Sequence, residues 1–120
     1  MNRKTVVIGA SENTERYSNK AVRSLLQHGK EVVAVGLKEG VIEGVKILKG
    51  NPVIENVDTV SLYVGPAHQP AMYNYILSLK PKRIIFNPGT ENPEFEKLAQ
   101  ENGIETTEAC TLVLLSIGNY

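Results

Sequence analysis

The stretch TVVIGASENTERYSNKAVRSLLQHG, residues 5–29, predicts the fold class of this chain. It opens on a β-branched run, Thr5–Ala10, which is typical of a strand buried on both faces. After a polar loop, the side chains Val22, Leu25 and Leu26 recur at the spacing of one helical face. A strand that leads through a loop into a helix is the first half of a βαβ unit, from which parallel sheets are built.

Local signals predict the two ends of this helix. Ser18 can serve as its N-cap, and Tyr17 and Val22 stand at the two positions of a hydrophobic staple. Gly29 can end the helix, because glycine readily adopts the left-handed conformation that follows a helix C-terminus. We therefore expect the helix to run from Ser18 to Gly29.

Composition limits the class of protein. With 120 residues and 42% hydrophobic content, we expect one compact domain over residues 1–120. Lys and Arg number 13, as do Asp and Glu, so charge alone attracts neither nucleic acid nor an anionic membrane. After the basic start Met1–Lys4, the apolar run is far shorter than a signal-peptide core or a membrane span of about 20 residues. The single Cys110 excludes an internal disulfide and suits a reducing compartment, so we expect a cytoplasmic protein.

Strand-like and helix-like segments alternate along the rest of the chain. Strands are predicted at Glu31–Gly36, Val45–Leu48, Asp58–Val64, Lys82–Asn87 and, at an edge, Ile104–Thr107. Helices are predicted from Pro70 to Pro81, from Asn92 to Gly103 and, over an apolar run that periodicity alone leaves ambiguous, from Cys110 to Ile117. The expected α/β fold is a three-layer, Rossmann-like, doubly wound parallel sheet of about five or six strands.

Ligands of such sheets bind beyond the carboxyl ends of the strands, where the strand order reverses. This rule selects the loops Gly9–Ser18, Gly36–Gly40, Gly65–Gln69 and Asn87–Asn92.

The first of these loops favours a phosphate ligand but not the NAD type of site. It has one glycine where the dinucleotide fingerprint has three, and it is several residues longer. It offers Gly9 for close backbone approach, Ser11, Asn13 and Ser18 as donors, Arg16 as a cation, and the N–H groups of a helix N-terminus. The alternative is that Ser18 only caps the helix and Arg16 is a solvated surface residue.

The second loop bears on which nucleotide is bound. An NAD site places an acidic side chain at the end of the second strand to bond the ribose. Here Lys38 lies near that end, which favours a phosphorylated ribose and thus NADP or coenzyme A. If Glu39 faces the site instead of Lys38, an acidic side chain meets the ribose, and this favours NAD.

Several segments together carry a family resemblance. VVIGAS-x-N-x-x-R-Y-S, EVVAVGLKEG, NPGTENPEFEKLAQENGIE and EACTLVLL, taken together, resemble the small stand-alone CoA-binding proteins of bacteria. Those proteins are similar to the nucleotide-binding domain at the N-terminus of the succinyl-CoA synthetase α subunit. The resemblance runs over essentially the whole chain. It implies a Rossmann-type domain that binds coenzyme A or an acyl-CoA, with the ADP part lying across the first and second loops.

The resemblance also implies the site residues. The phosphates would be surrounded by Gly9, Ala10, Ser11, Asn13, Arg16 and Ser18. Near the ribose phosphate would lie Lys38, at the adenine wall Tyr63, Val64 and Pro66, and toward the pantetheine arm Asn87, Pro88 and Gly89. One departure concerns Lys38: relatives often read V-N-P-K where this chain reads V-G-L-K, so the proline that would rigidify its approach is absent.

Candidate catalytic groups are few. In succinyl-CoA synthetase, the reaction depends on a phosphorylated histidine in another domain. We do not expect that domain in this chain. His28 lies beside Gly29 at a helix end, and His68 lies in a ligand-side loop, but neither has a partner at motif spacing. Cys110 is expected to be a buried small hydrophobe; the alternative is a mixed disulfide with the CoA thiol.

These observations predict a non-enzyme that binds a small nucleotide, coenzyme A or acyl-CoA, and neither nucleic acid nor a membrane. Two alternatives stay open. One is an NADP-type oxidoreductase component whose partner supplies the substrate pocket. The other is a protein-interaction domain with a vestigial site, docked through the apolar TLVLLSIGNY segment. A homodimer or an enzyme partner is compatible with the first reading as well.

Overall fold

The computed structural model describes residues 4–120, so the basic Met1–Arg3 segment lies outside the described residues. The strands are β1 (Lys4–Ile8), β2 (Glu31–Gly36), β3 (Gly40–Ile42), β4 (Val45–Lys49), β5 (Val57–Leu62), β6 (Arg83–Phe86) and β7 (Glu105–Glu108). The helices are α1 (Tyr17–Gln27), α2 (Tyr73–Ser78), α3 (Pro93–Glu101) and α4 (Thr111–Ser116). Single 3-10 turns at Pro66–His68 and Pro70–Met72 precede α2, so the predicted helix from Pro70 begins as a tighter turn.

The strands form one sheet in the order β3-β4-β2-β1-β5-β6-β7. All pairings are parallel except that of β3 with β4. The chain moves outward from β1 through β2 to β4, then returns to the other side of β1 for β5, β6 and β7. The strand order therefore reverses between β1 and β5, and the predicted Rossmann-like α/β fold is confirmed.

The number of strands was predicted too low, because residues 4–120 contain seven where five or six were expected. The missed strand is β3, which pairs with β4 in a tight hairpin through Glu43 and Gly44. Both turn residues have positive φ, 47° and 83°, as a type I′ turn requires. Glutamate is not a residue that signals this turn, and β3 is only three residues long, so the sequence pattern did not reveal it.

Helices cover both faces of the sheet and create two cores. Val6 and Ile8 of β1 face one side, which α2 and α3 cover with Ile76 and Phe95. Val7 faces the other side, which α1 and α4 cover with buried side chains that include Val22, Leu25 and Leu115. Successive side chains of β1 thus enter opposite cores, so the sheet lies between two layers of helices. This three-layer arrangement is the one that the continuous apolar run predicted.

The beginning of α1 differs from the prediction. Its N-cap is Arg16, whose carbonyl accepts the Lys20 N–H at 3.1 Å, while Ser18 lies buried in the first turn. Tyr17 is 66% exposed, so the predicted hydrophobic staple is also wrong. Arg16 is still extended, with φ −73° and ψ 139°, so the helical conformation begins at Tyr17, one residue before Ser18.

The end of α1 agrees with the prediction. Gly29 has φ 72°, and its N–H donates to the Leu26 carbonyl at 3.0 Å. The Lys30 N–H donates to the Leu25 carbonyl at 2.9 Å. These two bonds form a Schellman motif, which ends the helix and satisfies its last carbonyl groups.

Candidate functional site

All four predicted loops follow the carboxyl ends of strands. The first loop follows β1, the second β2, the third β5 and the fourth β6. The loop between β1 and α1 begins with Gly9, whose φ is 96°. A Cβ atom there would lie 3.0 Å from the Tyr63 carbonyl oxygen, just beyond β5. The N–H groups of Gly9 and Ala10 both donate to the Val35 carbonyl of β2 at 2.9 Å. The loop is thus anchored to both neighbouring strands at the point where the strand order reverses.

The polar side chains of this first loop shape its own turns. The Ser11 Oγ accepts the Asn13 N–H at 3.1 Å, and the Asn13 Oδ1 accepts the Glu15 N–H at 3.0 Å. The Arg16 N–H donates to the Asn13 carbonyl at 3.0 Å. The Ser11 hydroxyl proton and the Asn13 amide nitrogen do not take part in these bonds, so the loop is ordered while both side chains keep donor groups.

Two residues of α1 that sequence reasoning missed hold the loop in place. Asn19 is 2% exposed, and its Nδ2 donates to the Ser11 carbonyl at 2.9 Å. The Arg23 Nε donates to the Asn19 Oδ1 at 2.8 Å, and its Nη2 donates to the Thr14 carbonyl at 3.2 Å. Asn and Arg four residues apart on a helix are neighbours, and Asn19 lies beside the apolar face. The four-residue spacing of Asn19 and Arg23 was the sequence signal that could have identified this pair.

The N-terminus of α1 opens onto this loop. The N-cap residue Arg16 is exposed and its side chain accepts no hydrogen bond from the first turn. By contrast, the Asn92 side chain caps α3 by accepting the Phe95 N–H at 3.2 Å. The first N–H groups of α1 have no such side-chain acceptor, although Ser18 among them is buried. Unpaired N–H groups and the positive end of a helix dipole together suit an anion.

Lys38 lies on an exposed tripeptide, residues 37–39, between β2 and β3. Both flanking glycines pack against the first loop: a Cβ at Gly36 would lie 2.3 Å from the Ala10 carbonyl oxygen, and one at Gly40 would lie 2.4 Å from the Glu12 Cδ. The first and second loops therefore lie side by side, as the parallel order of β1 and β2 dictates.

The three residues expected at the adenine wall point in different directions. Pro66 is exposed at the start of its 3-10 turn, and Val64 packs partly against the core below α2 and α3. Tyr63 packs instead into the core below α1 and α4. Its buried hydroxyl has no hydrogen-bond partner of ordinary geometry, and burial raises its pKa to about 12, with the nearby Thr111 and Ser61 hydroxyls reducing the effect.

Asn87, expected near the pantetheine arm, is fully buried, and its side-chain amide is hydrogen-bonded to other groups of the protein. Its Nδ2 donates to the Ser61 Oγ at 3.0 Å and the Leu62 carbonyl at 2.9 Å. Its Oδ1 accepts the Thr111 N–H at 2.8 Å. Asn87 thus joins β5, β6 and α4, while Pro88 and Gly89 after it are exposed.

A buried glutamine that the sequence did not single out joins the third and fourth loops. The Gln69 Nε2 donates to the carbonyls of Val64 at 2.9 Å and Thr90 at 2.8 Å. Its Oε1 accepts the Asn92 Nδ2 at 2.9 Å. The edge of the sheet beyond β5 and β6 is therefore fixed by side-chain amides.

The fourth loop is acidic. The Gly89 N–H donates to the Glu91 carboxylate at 2.9 Å, and the Asn92 N–H donates to the Glu96 carboxylate at 3.2 Å. Burial raises the pKa of Glu96, and the neighbouring Glu108 carboxylate raises it further. Negative charge gathers here, at the far end of the site from Arg16.

The remaining candidates lie at the edges of this arrangement. The exposed His28 ring nitrogen Nδ1 lies 2.7 Å from the Ser24 carbonyl at the C-terminus of α1, away from the loops. His68 is exposed on the third loop. Cys110 is half-buried at the N-cap of α4, more accessible than the buried hydrophobe that was expected. Within residues 4–120, no group of three or more metal-ligating side chains comes together, and no helix is long and apolar enough to cross a membrane.

Solved structures share this architecture. A protein of unassigned function is 52% identical and superimposes with a TM-score of 0.97, over 100% of this chain and 99% of its own. A Thermus thermophilus protein is 20% identical with a TM-score of 0.86, over 99% and 91% of the two chains. A dinucleotide-forming acetyl-coenzyme A synthetase from Ca. Korarchaeum cryptofilum, solved with phosphate and ADP, is 20% identical with a TM-score of 0.72. The match covers 88% of this chain and 25% of the synthetase, and at this identity it shows the fold alone.

No curated protein matches the chain significantly. The family model for the CoA binding domain matches residues 3–116. Because that match spans nearly all of the sequence, this protein belongs to the CoA-binding domain family.

Proposed function

We propose that this protein binds coenzyme A, or an acyl-CoA, at the reversal of strand order, and that it does so without catalysing a reaction. The observation that carries the proposal is the first loop. It joins hydroxyl and amide donors from Ser11 and Asn13, the exposed Arg16 and the uncapped N-terminus of α1. Charge-assisted bonds from such donors are the strong interactions available to a phosphate.

The ligand would lie across the four loops at the carboxyl ends of the strands. The diphosphate would lie over the first loop, and the phosphorylated ribose would face Lys38 on the adjacent second loop. Val64 and Pro66 would border the adenine. The pantetheine arm would pass toward Pro88 and Gly89, away from the cations and toward the acidic fourth loop. This direction is favoured because the phosphates repel the carboxylates of Glu91 and Glu96.

The non-catalytic part of the proposal rests on where the titratable groups lie. His28 lies near the carbonyl groups at the opposite end of α1, and His68 is exposed without a hydrogen-bonded orienting partner. In the usual arrangement, a catalytic histidine is oriented by a third group and lies within hydrogen-bond reach of the nucleophile that it activates, and neither histidine is placed in this way. We therefore assign the protein a binding role.

The experiment is calorimetric titration with coenzyme A, dephospho-CoA and NADP in parallel. We expect coenzyme A to bind more tightly than dephospho-CoA by about 1 to 3 kcal/mol, the size of a lost charge-assisted contact. Lys38→Ala should abolish that difference. Lys82→Ala removes an exposed cation just before β6, at the opposite edge of the sheet, and should leave it unchanged. Tighter binding of NADP, together with its turnover, would contradict the proposal.

A second function, docking on another protein, is favoured by one feature of α4. Val113 of α4 and Ile117 at its C-cap are 52% and 63% exposed, and the Ile117 N–H donates to the Val113 carbonyl at 3.0 Å, so the two side chains lie one turn apart. If none of the three nucleotides binds and sizing shows a dimer, the interaction-domain reading is the better one. Nucleotide binding by a monomer would contradict it.

A further inference from the structure

The tripeptide that carries Lys38 is held at both ends by the first loop. At one end, Gly36 brings β2 so close to the Ala10 carbonyl that no side chain fits between them. At the other end, Gly40 leaves space that the Glu12 side chain fills. Both contacts depend on glycine, and both join the same two loops.

Glu12 adds a hydrogen bond to this packing. Its Oε2 accepts the Val41 N–H of β3 at 2.9 Å. A carboxylate in a loop that offers donors to phosphate is electrostatically unfavourable unless it is otherwise engaged. Here the charge is directed at a backbone N–H of an edge strand, and the side chain spans the gap between the two loops.

We propose that Glu12 is a positioning residue. Its hydrogen bond to the Val41 N–H, here called the clasp, joins β3 to the first loop and thereby fixes Lys38 opposite the ribose phosphate. This inference rests on the proposed function. Without the clasp, residues 37–39 keep their attachment at Gly36 and the pairing of Gly40 with Ile47 of β4, but β3 loses its contact with the first loop. Ordering Lys38 on binding then costs more conformational entropy. Glu12 therefore determines how strongly the site distinguishes coenzyme A from dephospho-CoA, rather than how tightly it holds the part common to both.

Two variants break the clasp in different ways. Glu12→Ala removes the acceptor. Gly40→Ala adds a methyl group whose three nearest atoms are the Cδ, Cγ and Oε2 of Glu12, so it displaces that flexible side chain. We expect either variant to reduce the preference for coenzyme A over dephospho-CoA by roughly three- to tenfold, the range of one lost hydrogen bond. Dephospho-CoA affinity should stay at the wild-type value, which a general structural defect would not allow.

The matched control is Glu12→Gln, whose amide oxygen can still accept the Val41 N–H; it should keep most of the preference. Combining Glu12→Ala with Lys38→Ala should add nothing to Lys38→Ala alone, because both act on the same contact. The Val41 amide proton, followed by NMR, should exchange faster in Glu12→Ala than in Glu12→Gln.

The outcomes separate this inference from the proposed function. If the wild-type protein binds coenzyme A no better than dephospho-CoA, or binds neither, the assignment of the site fails first. If the wild type shows the preference and Glu12→Ala and Gly40→Ala both keep it, the positioning role is overturned. A rise in affinity for both ligands on Glu12→Ala and Glu12→Gln alike would show that the carboxylate acts by repulsion, which also overturns it.

Discussion

Gly36 and Gly65 each follow a valine near the carboxyl end of a strand, but they have opposite surroundings. A Cβ at Gly36 would lie 2.3 Å from the Ala10 carbonyl oxygen, whereas nothing lies within 4 Å of one at Gly65. We expect Gly36→Ala to lower the free energy of unfolding by about 1 to 3 kcal/mol, because the backbone of the first loop must move to relieve the overlap. Chemical denaturation of the purified variant measures this change.

Gly65→Ala is the matched control. Gly65 has φ −63° and ψ 155°, which any residue adopts, so alanine there should leave stability unchanged or raise it by about 0.4 to 1 kcal/mol. Equal losses in the two variants would mean that the close approach of Ala10 and Gly36 is not what makes glycine necessary.

The sequence predicted which loops lie at the carboxyl ends of the strands better than it predicted the directions in which their side chains point. Ser11, Asn13 and Lys38 lie on the loops predicted for them, because topology alone places strand ends at one edge. Tyr63 was assigned to the adenine wall by resemblance, yet its side chain follows the alternation along β5: Leu62 faces the core below α2 and α3, so Tyr63 faces the opposite core. Asn87 lies in a predicted strand, but whether its amide is taken up by the protein depends on α4, which is remote in sequence.

At the scale of single elements, α1 carries a prediction about its first turn. Proline is well suited to the first helical position, here Tyr17, and Arg16 before it has φ −73° and ψ 139°, the conformation that residues preceding proline prefer. Tyr17→Pro should therefore keep the melting temperature or raise it slightly, while removing one N–H from the helix N-terminus. We expect it to weaken coenzyme A binding by about 0.5 to 1.5 kcal/mol.

Tyr17→Ala separates the side chain from the N–H. It removes the exposed ring, which Lys20 approaches at 5.1 Å, but keeps the backbone donor, so it should bind coenzyme A as the wild type does. Equal affinity in the proline and alanine variants would rule out a phosphate contact at this N–H. A large drop in melting temperature in Tyr17→Pro alone would place the start of the helix elsewhere.

Elements whose signals are local were predicted well, and elements set by rare local choices were not. The Schellman end of α1 at Gly29 and the Asn92 cap of α3 follow rules that depend on a few neighbouring residues. The same rules favoured Ser18 over Arg16 as the N-cap of α1. Their failure there is physically informative, because a helix N-terminus without a side-chain cap keeps N–H groups for another acceptor.

At the scale of the whole molecule, half-buried tyrosines on both faces of the sheet link its stability to alkaline pH. Burial raises the pKa of Tyr63 to about 12 and raises the pKa values of Tyr73, Tyr75 and Tyr120 above 10. The folded state therefore holds protons that the unfolded chain releases above pH 10. The stability from these groups is complete below pH 10 and is lost as pH rises through the folded-state pKa values.

Urea unfolding from pH 8 to pH 11.5 should thus show a falling free energy of unfolding. Ionisation of Tyr63 accounts for at most about 2 to 3 kcal/mol of this loss once the pH exceeds its folded-state pKa. Tyr63→Phe removes a buried hydroxyl without a good hydrogen-bond partner, so stability at pH 8 should change little or rise. Above pH 10, the free energy of unfolding of Tyr63→Phe should fall less steeply with pH than that of the wild type. If the two fall equally, the Tyr63 hydroxyl is solvated in the folded protein, and the core below α1 and α4 admits water at this point.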